Sequence, residues 1–298
     1  MLFMKKIFLL LFSSMLSMVQ AQLKVAALHP LIGDLVSQVG GERVEVIQLL
    51  KPGGDMHHFE PSARDIASLQ AVKIIFASGK GLENYLGSLR DSVPAAQIVE
   101  VGKPIPSIVI QPGNAVFYCC PEHSVGGLDP HWWHSLDNLK RAARVVCDAL
   151  CAADGVNAEA YKAASVAAQA RIASYKAWAQ QQLAVIPRSD RKLVTAHAAY
   201  GYFCKEFGFK SIPLLGIGRE GEASGAYVTE AIKAIKTERI RAVFPEDQSN
   251  PKALKEIVRN TGVYIGDELV ADGTHPKVHT IEAMIRHNVN AIVKGLKP

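Results

Sequence analysis

The sequence predicts an α/β protein in which two β/α lobes with largely parallel sheets are joined by one long helix, with a ligand site in the cleft between the lobes. Three observations carry this. Residues 23–101 alternate short apolar runs with helical patterns, residues 156–186 contain neither Gly nor Pro, and from Lys192 the alternation resumes. Strands separated by helical stretches of about ten residues require crossover connections, which are right-handed and produce parallel pairing.

The chain opens with Lys5 and Lys6, an apolar run from Ile7 to Val19, and Val19-Gln20-Ala21. Residues 1–21 therefore read as a signal peptide cut after Ala21. No later stretch approaches the roughly 20 apolar residues of a membrane-spanning helix. The first cysteine is Cys119, so no lipobox Cys stands at the cleavage point, and an unanchored periplasmic protein is expected.

Residues 22–155 form the expected first lobe. Its runs are LKVAAL, LIGDLVSQVG, VEVIQLL, SARDIASLQAV, KIIFAS, LENYLGSLRDSV and IVEV. Ser62 and Asp65 have the spacing of a capping box and start a helix. Residues 102–127, rich in Pro and Gly, read as a long loop with one strand or hairpin, followed by LDPHWWH and a helix over 135–153. The joining helix is expected over 156–187, with Asn157 as N-cap and Pro187 as stop. About 30 residues at about 1.5 Å each give a rod of roughly 45 Å, enough to tie two lobes together. The second lobe, 188–298, runs KLVTAH, AAYGYFCKEFG, SIPLLG, TEAIKAIKTE, RAVFPE, NPKALKEIVRNTG, VYIGDEL and a last helix near 279–296. Asn250-Pro251 supplies a cap and first-turn pair for one of its helices.

The net charge of +5, with 33 basic and 28 acidic residues, includes the two leader lysines, and the basic residues are scattered. Nothing here argues for nucleic acid. Five cysteines are an odd number. Adjacent Cys119 and Cys120 cannot close on each other without strain. Cys147 and Cys151 read either as core residues or as disulfide partners of that pair, and Cys204 sits in a helical pattern.

In open parallel sheets ligands bind beyond the carboxyl ends of strands. His57 and His58 follow VEVIQLL through a glycine turn, His197 ends KLVTAH, Asp267 ends VYIG, and His131 lies in the loop before a helix. Candidates come from both halves, which places a site in the cleft. Three imidazoles with one carboxylate suit a divalent first-row metal, zinc above all. Among the remaining groups, Glu246 and Asp247 are understudies to Asp267, and Glu220 and Glu222 are expected at the cleft rim. His58 and His134 are expected to be exposed, and His29 to be a hydrogen-bonded turn residue. His275, His279 and His287 have capping or solvent roles. Cys119, Cys120, Glu122 and His123 could form an accessory metal trap, or else a disulfide beside an exposed loop His.

Over nearly its whole length the chain resembles the metal-binding solute-binding proteins of bacterial ABC transporters for zinc and manganese. GGDMHHFEP looks like the first ligand loop of that family, with Met56 where a Pro is usual. LDPHWWHS, TAHAAYGYFCKEFG and VYIGDEL look like the second, third and fourth motifs. The resemblance implies His57, His131, His197 and Asp267 as metal ligands. It also implies a monomeric binding protein that is not an enzyme and that delivers its ion to a membrane permease driven by a cytoplasmic ATPase. Zinc is expected as the transported ion, with manganese as the alternative, because His197 stands where manganese binders often carry Glu. The His-rich loop common in zinc importers is missing. A zinc hydrolase and a metal-binding adhesin are the competing classes. Against the hydrolase, four protein ligands fill a tetrahedral site, and neither an HExxH helix nor a nucleophile elbow is present.

Overall fold

The computed structural model describes residues 21–110, 126–213, 225–246 and 251–297. The leader up to Gln20, the Cys119–His123 group, Glu220, Glu222, Asp247 and Asn250 lie outside the described residues. Among the described residues no helix is long and apolar enough to cross a membrane.

The first half contains β1 (Leu23–Ala27), α1 (Pro30–Gly40), β2 (Val44–Gln48), α2 (Ala63–Leu69), β3 (Ile74–Ala77), α3 (Leu86–Ser92) and β4 (Gln97–Glu100). The four strands form one parallel sheet in the order β2-β1-β3-β4. Val25, Ala26 and Ala27 of central β1 are fully buried, as are all four residues of β3. This is the continuous apolar character that a strand covered on both faces requires. α2 starts at the expected capping box, in which the Ser62 hydroxyl accepts from Asp65 N and the Asp65 carboxylate accepts from Ser62 N. Within the Pro-rich loop, Val109 and Leu128 form one antiparallel bridge.

α4 (Leu136–Ala153) is capped by Ser135, whose hydroxyl accepts from Asn138 N. The joining helix, α5, runs over Ala158–Leu183, 26 residues, shorter at both ends than the sequence suggests. Asn157 makes no side-chain cap; its amide turns to Asp154 at 2.7 Å while Gly155–Asn157 form a 3-10 turn. Along α5 the buried positions are Tyr161, Ser165, Ala168, Ile172, Ala179 and Leu183, a narrow stripe at three- and four-residue spacing.

The second half contains β5 (Lys192–Thr195), α6 (Gly201–Phe207), β6 (Lys210–Pro213), α7 (Gly225–Thr237), β7 (Ala242–Val243), α8 (Pro251–Thr261), β8 (Tyr264–Ile265) and α9 (Ile281–Leu296). β5 pairs with β6 and β7 with β8, both in parallel, and a Thr195–Phe244 bridge joins the pairs in the order β6-β5-β7-β8. α5 is fastened to elements of both halves. Arg171 reaches Gln38 on α1 at 3.1 Å, Lys176 reaches Asp137 on α4 at 2.6 Å and Glu206 on α6 at 3.3 Å, and the Tyr175 hydroxyl donates to Glu282 on α9 at 2.9 Å. Cys147 and Cys151 are free thiols on α4 with sulfurs 3.9 Å apart, and Cys204 is a buried free thiol.

Candidate metal centre

Four side chains converge beyond the carboxyl ends of the strands: His57, His131, His197 and Asp272, with one donor atom of each within 4.8 Å of the others. His57 comes from the loop after β2. Gly53 in that loop has φ +84, a conformation glycine adopts without strain, and its N–H donates to Thr274 O at 2.6 Å, so the loop is tied to the segment carrying Asp272. The Asp55 carboxylate then accepts from His57 N at 3.0 Å and shapes the turn. The His57 Nε2 faces Asp272 Oδ1 at 3.7 Å.

His131 precedes a 3-10 turn at Trp132–His134 and is fully buried. Its Nδ1 pairs with Asp129 Oδ1 at 2.8 Å, and the same oxygen accepts from His131 N at 2.9 Å. His197 stands two residues past the end of β5. Its Nδ1 pairs with Glu246 Oε2, while Glu246 Oε1 accepts from Ala196 N and His197 N at 3.1 and 3.3 Å. A carboxylate on Nδ1 fixes the tautomer, turns Nε2 toward a metal and raises the basicity of the ring. The His197 Nε2 is buried and has no hydrogen-bond partner among the described residues. The imidazole rings lie close together, with centroids 5.4 Å apart for His57 and His131, 5.3 Å for His131 and His197, and 6.0 Å for His57 and His197.

Burial alone would raise the Asp272 pKa, but the imidazoles around it, His57 foremost, hold it well below the usual carboxylate range. Burial likewise works to lower His197, and the Glu246 carboxylate outweighs it, so the net direction is upward.

Of the four ligands expected from sequence, the structure gathers His57, His131 and His197 and leaves Asp267 outside. Asp267 follows the two-residue β8, is about half exposed, and pairs with Lys294 of α9 at 2.8 Å. The chain continues through Leu269, Val270 and Ala271, all buried, before it delivers Asp272. That apolar triplet followed by Asp-Gly was the available signal. Glu246 is no understudy to Asp267 but the partner of His197. His134, expected to be exposed, is buried against Tyr200 at 4.5 Å between ring centroids, and burial lowers its pKa to about 3. His58 is exposed and pairs with Asp55 at 2.8 Å. His29 is a turn residue, its Nδ1 accepting from Leu31 N at 3.1 Å to cap α1.

Two sets of parallel strands, a long helix between them and a His3Asp cluster at the strand ends, two of its members buried and two partly so, define a metal-binding solute-binding protein. The chain belongs to the family described as "Zinc-uptake complex component A periplasmic", whose model matches residues 25–295. It is 26% identical over 277 residues to the manganese-binding lipoprotein MntA of Halalkalibacterium halodurans, covering 92% of this chain and 88% of that one. It is 28% identical over 275 residues to the iron-binding protein YfeA of Yersinia pestis, covering 91% and 86%. In fold it matches the periplasmic zinc binding protein TroA from Treponema pallidum, with TM-score 0.79 and 23% identity over 93% of this chain and all of that one.

Members of this family are substrate-binding components of ABC metal transporters, not enzymes, and imply a permease and ATPase as partners. MntA is named a lipoprotein, as are further relatives of similar coverage, which overturns the expectation of an unanchored periplasmic protein.

Proposed function

We propose that this chain captures Zn2+ through His57, His131, His197 and Asp272 and delivers it to an ABC permease for import. The observation that carries this reading is the donor set. The other two carboxylates near the centre stand behind the rings, Asp129 on the His131 ring and amide and Glu246 on the His197 ring and the Ala196 and His197 amides, so three nitrogen donors face the single carboxylate of Asp272. Zinc accepts four ligands with nitrogen at about 2.0–2.1 Å, whereas Mn2+ is a harder ion that favours oxygen and lies at the weak end of the affinity order. The MntA relative's name, manganese-binding, supports the other reading. Competition titration of metal-free protein with both ions tests the choice. Zinc binding at least about tenfold more tightly is expected from the affinity order; manganese binding as tightly as zinc contradicts the reading. His197→Glu, which adds a second carboxylate, is expected to narrow the gap.

A further inference from the structure

Asp272 reaches the centre on a segment with little strand pairing of its own. Leu269 forms a parallel bridge to Glu246, its N–H donating to Pro245 O at 2.8 Å. Beyond it, side chains take the place of a ladder. The buried Asn288 of α9 accepts from Val270 N at 2.9 Å through Oδ1 and donates to Val270 O at 2.8 Å through Nδ2. The Trp133 indole N–H donates to Ala271 O at 2.8 Å. Trp133 is itself buried, its ring centroid 5.3 Å from His131 and 4.3 Å from His29. The neighbouring Trp132 turns the other way and donates to the Ser78 hydroxyl at 3.0 Å, at the end of β3.

The peptide unit is planar, so fixing the Ala271 carbonyl oxygen also fixes the amide nitrogen and Cα of Asp272. Buried backbone groups without partners are strongly disfavoured, so the Trp133 indole and the Asn288 amide, which serve Ala271 O and both backbone groups of Val270, hold the two residues before Asp272 in place. We propose that Trp133 and Asn288 are positioning residues for Asp272: together they set where its carboxylate stands, and Trp133 couples that position to His131. The inference rests on Asp272 being a metal ligand. Neither residue faces the metal as a donor. Both act through the backbone that carries one.

The test uses the whole protein and zinc ion, with affinity read by competition against a chromophoric chelator and folding by thermal melting of the metal-free form. Trp133→Phe keeps most of the ring and removes the donor; Asn288→Leu keeps the bulk and removes both hydrogen bonds. Each is expected to lose about 10–100-fold in zinc affinity, the range for residues that orient a ligand from behind. In an Asp272→Asn background the same substitutions are expected to change affinity by less than about twofold, because the ligand they position is gone. Should Trp133→Phe fail to fold, Asn288→Leu decides alone. A folded single variant that binds zinc as wild type does overturns the proposal. So does an equal loss in the Asp272→Asn background, which marks a general structural effect. Undiminished affinity in Asp272→Asn itself overturns the ligand assignment, and the proposal with it; positioning alone fails when Asp272→Asn weakens binding and the two supporting substitutions do not.

Discussion

The two halves of the protein bring two of the four converging side chains each, and they hold them differently. In the first half, His131 and its carboxylate partner Asp129 are both wholly buried beside a four-stranded sheet, and His57 is 7% exposed. In the second half, the side chains of His197 and Asp272 retain 16% and 12% exposure, and strands β7 and β8 are two residues long. Asp272 depends on Trp133 and Asn288 where a longer ladder would have served. The first half thus buries its two histidines more deeply than the second half buries His197 and Asp272.

The largest effect is expected in the first half. His131→Ala should weaken zinc binding by more than about 100-fold, beyond what loss of an orienting partner causes, and by more than His197→Ala does. Chelator competition on both variants checks this, and the reverse ranking would break the comparison. Next come the carboxylates behind the rings. Asp129→Asn and Glu246→Gln should each lose about 10–100-fold in affinity, since the amide no longer fixes the Nδ1–H tautomer. The same titration reads both.

A smaller effect concerns stability in acid. Burial lowers the pKa of His29 and of His134 to about 3, from an ordinary value of 6.5. Both are neutral when folded, and the unfolded chain takes up their protons first as pH falls. Their contribution is therefore complete above about pH 6.5 and is lost progressively toward pH 3. The melting temperature of metal-free protein should fall from pH 7 to pH 5, and fall less in His29→Asn, which retains a side-chain oxygen to cap α1. Equal slopes for the two proteins would show that His29 is not buried neutral.

The smallest expected effect is in overall dimensions. α5 is bonded to α1, α4, α6 and α9, so removal of metal should loosen the Asp272 loop without wide hinge motion. The radius of gyration should change by less than about 1 Å in solution scattering, as expected where packed helices shift only slightly. A change of several Å would contradict a stiff connection.

The alternation of strands and helices and the long Gly- and Pro-free stretch were legible in the sequence because each rests on local pattern. His57 and His197 were legible for a related reason, since each follows an apolar run through a short connection and strand topology places it; His131 was legible from the Asp-Pro-His loop that leads into a helix. Asp267 was misread because β8 is too short for its end to be visible in VYIGDELVAD, and a residue just past a short edge strand meets solvent and Lys294 instead of the cleft. Asp129 and Glu246 escaped recognition as partners of His131 and His197 for another cause. Asp129 lies two residues before His131, whereas the Glu246 pairing spans 49 residues, and no local signal encodes it.

In the proposed site Asp272, not Asp267, completes the centre. Zinc retained per chain, measured by elemental analysis after dialysis of Asp272→Ala and Asp267→Ala proteins side by side, tests it most directly. Asp272→Ala is expected to lose its zinc, while Asp267→Ala retains it as wild type does and loses only an exposed ion pair with Lys294. Zinc kept by Asp272→Ala and lost by Asp267→Ala would contradict it.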